Sequence, residues 1–331
     1  MAAPKKHHFI PQFYLRRFAD RRENFWLYRK TADSKGIPTK VSDAGAENHF
    51  HTLDWSIWGQ LADDQSTLET KLSGIEGEQA TMLRAVLDLH EEIDFHEEAL
   101  AQFTTMMWHR VPNYKRSMEA MLSKVLSHTG RAMLKAGRFP PPPEELRQMI
   151  EEKDGDVFHP VIANWKLLEM MFTQLCDTPI PRILMGMNAK LVQPESLDHF
   201  FIIGDAPVSL YDDQWDSLSS TGVGFATPTV EVTMPLSSSA MLVFRHDRKL
   251  PPTTLTAAQV SHYNQRTIIS AEKSIHALRS CGSLAADIQR LSDQRAGRED
   301  FSLPRENVRL FISRNRPVTP DQLTWADAEE S

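Results

Sequence analysis

The opening stretch His7-His8-Phe9-Ile10-Pro11-Gln12-Phe13-Tyr14-Leu15-Arg16-Arg17-Phe18 sets two imidazoles, an amide and two guanidiniums among large apolar side chains. His8, Gln12 and Arg16 are spaced by four. A helix that starts before Pro11 would stack them on one stripe. An imidazole, an amide and a guanidinium on one stripe can hold a phosphate or a carboxylate. The His7-His8 pair can also begin a metal site, with help from elsewhere in the chain. The plainer alternative is that both histidines cap and pack the helix.

Two further clusters carry chemistry. In Glu47-Asn48-His49-Phe50-His51, a strand would put Glu47, His49 and His51 on one face. A carboxylate with two imidazoles suits a divalent cation; two exposed histidines near a turn is the other reading. An HH dipeptide, an Asn and a later His resembles the ββα-metal nucleases. The chain departs from them in its long gap from His8 to Asn48 and in lacking zinc-knuckle cysteines. In Gly204-Asp205-Ala206-Pro207, an acidic residue ends an apolar strand, where catalytic and ligand-binding carboxylates often stand. A plain turn in which Asp205 accepts local backbone hydrogen bonds competes with that reading. Arg110, just before Pro112, can pair with Glu76 or face a ligand. Asn264 sits within a helix, where an amide needs a specific partner.

Those residues must be held by elements readable from pattern. Pro11 suits the first turn of a helix reaching about Asp20. Phe25 to Tyr28 reads as a strand, 31–46 as loop, and 47–51 as a second strand antiparallel to the first. Leu68, Leu72, Ile75, Ala80, Leu83 and Leu87 approach helical spacing, with Ser66 as cap and Glu69 completing a capping box. Further helices are expected over 95–110, 114–135, 143–152 and 159–176. After residue 190 the chain reads as strands at 200–203, 208–211, 230–234, 240–244 and 308–312. They are interleaved with a helix over 256–273 capped by Thr256, a return to the sheet at 274–280, and a helix over 284–296. The expected fold is α+β, a central helical bundle over 66–176 packed beside a mainly antiparallel sheet. One integrated domain would span 1–314, with its sheet-rich part at 190–314 and a polar tail at 315–331.

Composition narrows the class. The chain is 41% hydrophobic and 24% charged, ordinary for a globular protein. No apolar run approaches the roughly 20 residues of a membrane span. The N-terminus lacks an apolar signal core, so no export and no membrane partner are expected. Cys176 and Cys281 form no disulfide framework, which fits a reducing cytoplasm. A net charge of −7 argues against a coat for nucleic acid. Lys115, Arg116, Lys124, Arg131, Lys135 and Arg138 nonetheless make residues 111–139 locally basic, as a patch or a solvated helix face. Phosphate-loop, HExxH and GxSxG signatures are absent.

The motifs together resemble the bacterial domain-of-unknown-function family 4238. Its His-His-x-x-Pro-Gln-x-Tyr-Leu-x-x-Phe opening is matched by His7 to Phe18, and its Glu-Asn segment by Glu47-Asn48. Its Ile-Glu is matched by Ile75-Glu76, and its Arg-x-Pro by Arg110-Val111-Pro112. Its Ser-Asp-Asn-Pro-Val is matched by Gly204 to Val208, with Gly204 and Ala206 where Ser and Asn are usual. Pro235-Leu236-Ser237 and Asn264 complete the match. The resemblance implies that these distant polar residues form one constellation; it implies no activity.

The leading expectation is a hydrolase acting on nucleic acid or another phosphate-bearing substrate. His8 would serve as acid/base or metal ligand and Asp205 as the carboxylate. His7, Gln12, Arg16, Glu47, Asn48, Arg110 and Asn264 would bind substrate, with a divalent metal as the candidate cofactor. A bacterial defence setting would suit such a protein. The alternatives are a non-catalytic anion-binding or sensor module and a structural or interaction protein.

Overall fold

The computed structural model describes residues 6–48, 67–118, 132–133, 136–138, 178–216, 222–305 and 308–323. Its strands in the first third are β1 (Lys6–His8), β2 (Asn24–Arg29), β3 (Ile37–Lys40) and β4 (Ala46–Asn48). Those that follow are β5 (Asn188–Pro194), β6 (Ile203–Gly204), β7 (Ser209–Tyr211), β8 (Glu231–Ser237) and β9 (Ala240–Arg245). The last are β10 (Thr254–Leu255), β11 (Ser274–Ala277), β12 (Gly297–Arg305) and β13 (Val308–Arg316). The helices are α1 (Gln12–Leu15), α2 (Thr67–Asp88), α3 (Glu97–His109), α4 (Ile180–Met185), α5 (Ala257–Ser270) and α6 (Gly282–Arg290). Residues 112–118 are also helical.

The fold is α+β. Strands β10-β5-β9-β8-β7 form one sheet, antiparallel except for the β10–β5 pair. Strands β3-β2-β11-β6 form a second, wholly antiparallel sheet. Two ribbons, β1–β4 and β12–β13, stand apart from both. The largest core cluster joins Tyr14, Leu15 and Phe18 to Leu83 of α2, Phe103 of α3 and Val232 and Phe244 of the five-stranded sheet. The opening helix is stitched to that sheet by main-chain acceptors: the Tyr14 hydroxyl donates to the Pro235 carbonyl, and Ser238 N donates to Arg17 O at 3.1 Å.

Several expectations change in register. The opening histidines lie on a strand, and the helix starts only at Gln12. Proline disfavours the helical region for the residue before it, and the strand Lys6–His8 is followed by a bend at residues 9 and 10 before the helix starts. Residues 46–48 pair with 6–8 and not with 25–28. The carbonyl of Gly45 accepts from Phe9 N and Ile10 N, which lays β4 along β1. Both edges of β2 are taken, by β3 and β11. The turn at 204–207 is a crossover: β6 lies in one sheet and β7 in the other. Close packing requires glycine at 204, because a Cβ there would stand 2.8 Å from Ala271 Cβ. The 308–312 strand belongs to a longer hairpin, β12–β13, that pattern alone did not reveal.

Of the helical middle, α2 buries Met82, Leu83 and Val86, and α3 packs against both α2 and α4. Buried Thr104 and Thr105 return their hydroxyls to the carbonyls of Leu100 and Ala101, each at 2.8 Å. Ser66, the side chain of Leu72, the helices expected at 143–152 and 159–176 and most of 114–135 lie outside the described residues. The bundle arrangement expected of them lies there too. Thr256 caps α5 through a full capping box with Gln259. No helix among the described residues is long and apolar enough to cross a membrane.

Candidate functional site

The β1–β4 ribbon brings the first two sequence clusters together: His7 stands opposite Glu47, and His8 opposite Ala46. His7 is buried, His8 is half-buried, and Asn48, opposite Lys6, is exposed. The His8–Gln12–Arg16 row survives the change from helix to strand. Arg16 Nη2 donates to Gln12 Oε1 at 3.2 Å, and Gln12 Nε2 lies 3.3 Å from His8 Nε2. Because the Gln12 oxygen faces Arg16, its amide N–H faces the ring, so His8 Nε2 accepts. Arg16 is also bound to Glu23, Nε to Oε1 at 2.8 Å.

Arg110, 3% exposed, fastens this ribbon from behind. Its Nη2 donates to the His8 carbonyl at 2.6 Å, and its Nη1 meets Glu76 Oε1 at 2.6 Å. Of the two expectations for Arg110, a Glu76 pair or a ligand, the structure has the ion pair with Glu76.

Asp205 is 6% exposed. Its carboxylate accepts Glu272 N at 2.7 Å, Lys273 N at 2.8 Å and Ser274 N at 3.0 Å. Burial pushes the carboxyl up, and the three N–H groups pull against that shift. These bonds use most of the acceptor capacity of a carboxylate. Asp205, expected as the catalytic carboxylate, thus fixes the loop after α5. That loop returns to the ribbon: Lys273 Nζ stands 3.8 Å from Glu47, and Arg116 bridges Glu47 at 3.9 Å and Glu272. A chain of contacts thus runs from His7 through Glu47 and Lys273 to Asp205. Asn264 lies outside it. Its amide grips the chain at 200–202, donating to Phe200 O at 2.9 Å and accepting from Ile202 N at 3.2 Å.

Among the described residues, no group of three or more His, Cys, Asp or Glu is placed to hold a metal ion. His49 and His51, which would complete the set with Glu47, lie outside the described residues.

Beside this frame is a cavity of about 270 Å³. One wall is Val111, Asn113, Tyr114, Ser117 and Met118, directly after Arg110. A second is Ala206, Val208 and Leu210, directly after Asp205. The third is Gly297, Arg314, Asn315 and Arg316 of the β12–β13 hairpin. Arg110 and Asp205 do not line the cavity; they anchor the segments that do. The lining is not legible in the sequence because it is mostly apolar and its hairpin wall carries no motif. The adjacency of Asn113 and Tyr114 to Arg110-Val111-Pro112 is the one signal that pointed there.

Two other buried groups escaped notice. Glu231 binds Arg266 and, at 2.9 Å, Arg245 Nη1; the Arg266 guanidinium stacks 3.7 Å from the Tyr211 ring centroid. Burial raises the Glu231 carboxyl, but the two guanidiniums more than offset it, and the net shift is down. Lys30 Nζ donates to the carbonyls of Ile269, Ala271 and Gln294 at 3.0, 2.8 and 2.7 Å, closing the C-terminal end of α5. Burial brings this amine down to about 7.

Fold and site together define an α+β protein with a histidine-bearing ribbon fastened by a buried arginine, a loop clamped by an aspartate, and a mainly apolar cavity lined by the segments that follow that arginine and that aspartate. The chain belongs to a family described as proteins of unknown function, DUF4238, whose model matches residues 6–280. No curated protein and no solved structure matches it.

Proposed function

We propose that the protein is a binding or sensor module that takes a small organic molecule in the cavity between residues 111–118 and the C-terminal hairpin. The observation that carries this reading is the cavity itself. Its size approaches that of small-molecule pockets, typically about 300–1,000 Å³. Its walls are apolar, with a few convergent polar groups, and two of them are anchored by Arg110 and Asp205. The described lining contains hydroxyls from Ser117, Ser270 and Tyr114. Among the described lining residues there is no imidazole, thiol or carboxylate to act as general base, which favours binding over hydrolysis. Fluorescence titration with the neutral apolar probe N-phenyl-1-naphthylamine tests it. We expect saturable binding at one site, lost in Ser117→Phe, which fills the cavity. Binding unaffected by that substitution would place the probe elsewhere and overturn the reading.

A second reading is hydrolysis of a phosphate-bearing substrate at the ribbon, with His8 as acid/base. It is supported by Arg116 and Lys273, two cations flanking Glu47 opposite His7. Cleavage of a phosphodiester with Mg²⁺, Mn²⁺ or Zn²⁺, lost in a folded His8→Ala variant, would replace the binding reading.

A further inference from the structure

We infer that the C-terminal hairpin makes the cavity selective for organic anions, with Arg316 receiving the anionic group. This rests on the reading of the cavity as a binding site and adds the chemistry of its occupant. The family match ends at residue 280, whereas the hairpin that closes the cavity spans Gly297–Arg316. The apolar walls therefore come from the shared segment, and the hairpin's guanidiniums from outside it.

The two arginines of that wall differ. Arg314 is engaged: its Nε donates to Glu299 Oε1 at 2.5 Å, and its guanidinium lies 5.0 Å from the Trp215 ring centroid. Arg316 lines the cavity, and among the described residues no ion pair or hydrogen bond engages its guanidinium. A guanidinium with no carboxylate partner leaves its donors for an oxyanion entering the cavity. The hairpin is held in place by main-chain bonds, Val223 N to Asn315 O at 2.9 Å and Val318 N to Leu210 O at 2.8 Å. The main chain that carries Arg316 is thus held against the rest of the cavity wall. Met107, Val208, Leu210 and Val223 contribute apolar side chains to the same lining. The fitting ligand has a compact apolar body and one carboxylate, sulfonate or phosphate group.

The test compares two probes sharing one skeleton, 8-anilinonaphthalene-1-sulfonate and its neutral counterpart N-phenyl-1-naphthylamine. Wild type, Arg316→Gln, Arg316→Lys and Ser117→Phe are titrated with each. We expect the sulfonate to bind at least tenfold more tightly than the neutral probe in wild type. Arg316→Gln should abolish that preference, bringing the two probes' affinities together, and Arg316→Lys should keep part of it. Equal affinities in wild type, or a preference that survives in Arg316→Gln, would overturn the inference and leave the cavity reading standing. Probes that fail to bind, or that ignore Ser117→Phe, would overturn the cavity reading and this inference with it. Should Arg316→Gln fail to fold, the wild-type preference and its loss with rising salt decide the matter. A preference insensitive to salt would count against a charge contact at the partly exposed rim.

Discussion

Arg110 donates to the main-chain carbonyl of His8 across 2.6 Å, tying the end of α3 to the opening ribbon. The same guanidinium pairs with Glu76 on α2. Three segments far apart in the chain therefore meet on one side chain.

Removing that side chain should be expensive. Arg110→Ala leaves Glu76 and the His8 carbonyl without their partner, and breaking a buried pair from one side typically costs about 3–5 kcal/mol. Urea unfolding should show a loss at or below the low end of that range, because Glu76 is partly exposed. The double variant Arg110→Met, Glu76→Leu should recover a substantial part of it. A change below about 0.5 kcal/mol in Arg110→Ala would mean that the pair does not fasten the ribbon.

Asp205 gives a local readout as well as a global one. Asp205→Ala removes the acceptor for the amides of Glu272, Lys273 and Ser274. Hydrogen bonds to a charged group contribute about 1.5–3 kcal/mol each, and less than additively when shared. We expect destabilisation of about 3 kcal/mol or more and much faster hydrogen exchange at those three amides. Unchanged exchange there, with loss of ligand binding, would return Asp205 to the ligand.

Acid should weaken the fold through buried imidazoles. Burial lowers both His109 and His276 from 6.5 to about 4. The unfolded chain therefore takes up these protons first, so the stability is fully present above about pH 6.5 and is lost as pH falls towards 4. At about 1.4 kcal/mol per pKa unit, each histidine forfeits roughly 2 kcal/mol by pH 5. Urea midpoints at pH 7.5 and pH 5 should differ accordingly, and His276→Phe should flatten the dependence by its share. An undiminished slope in that variant would assign the acid sensitivity to other groups.

Gly297 has φ of +107°, and a Cβ there would stand 3.0 Å from Asn113 Nδ2. Gly297→Ala should therefore destabilise by about 1–3 kcal/mol, the usual range for a residue forced into such a region. It should also weaken probe binding by pressing on Asn113 at the cavity wall. Retention of both stability and affinity would show that the hairpin can shift freely at its open end.

How much of this was readable beforehand depended on periodicity and on proline. The Thr256 cap of α5 follows from local chemistry, and the structure has it; of the stripe read in α2, Leu83 is buried while Ile75 and Leu87 are half-buried, and Met82 and Val86 are buried in their stead. The opening ribbon did not follow: Pro11 advertised a helix start, while pairing with Ala46–Asn48, distant in sequence, keeps the histidines extended. The polar motif residues drew attention because polar groups among apolar ones demand partners. In Arg110, Asp205 and Asn264 those partners are other parts of the protein. The cavity went unseen because apolar walls look like core in sequence, and because Arg316 sits in a hairpin whose first strand, β12, contains Pro304 and mixed charges.

The second sheet joins strands far apart in the chain: β2 is held on one side by its near neighbour β3 and on the other by β11, where Arg29 faces Ser274 and Trp26 faces Ala277. A growing polypeptide can close the β2–β3 hairpin early, but the other edge of β2 must wait until residues 274–277 have been synthesised. Such distant pairing slows folding and leaves an open strand edge during the delay. Chains released short of residue 277 should expose that edge and aggregate, so the protein's yield in the cell depends on finishing its own C-terminal third.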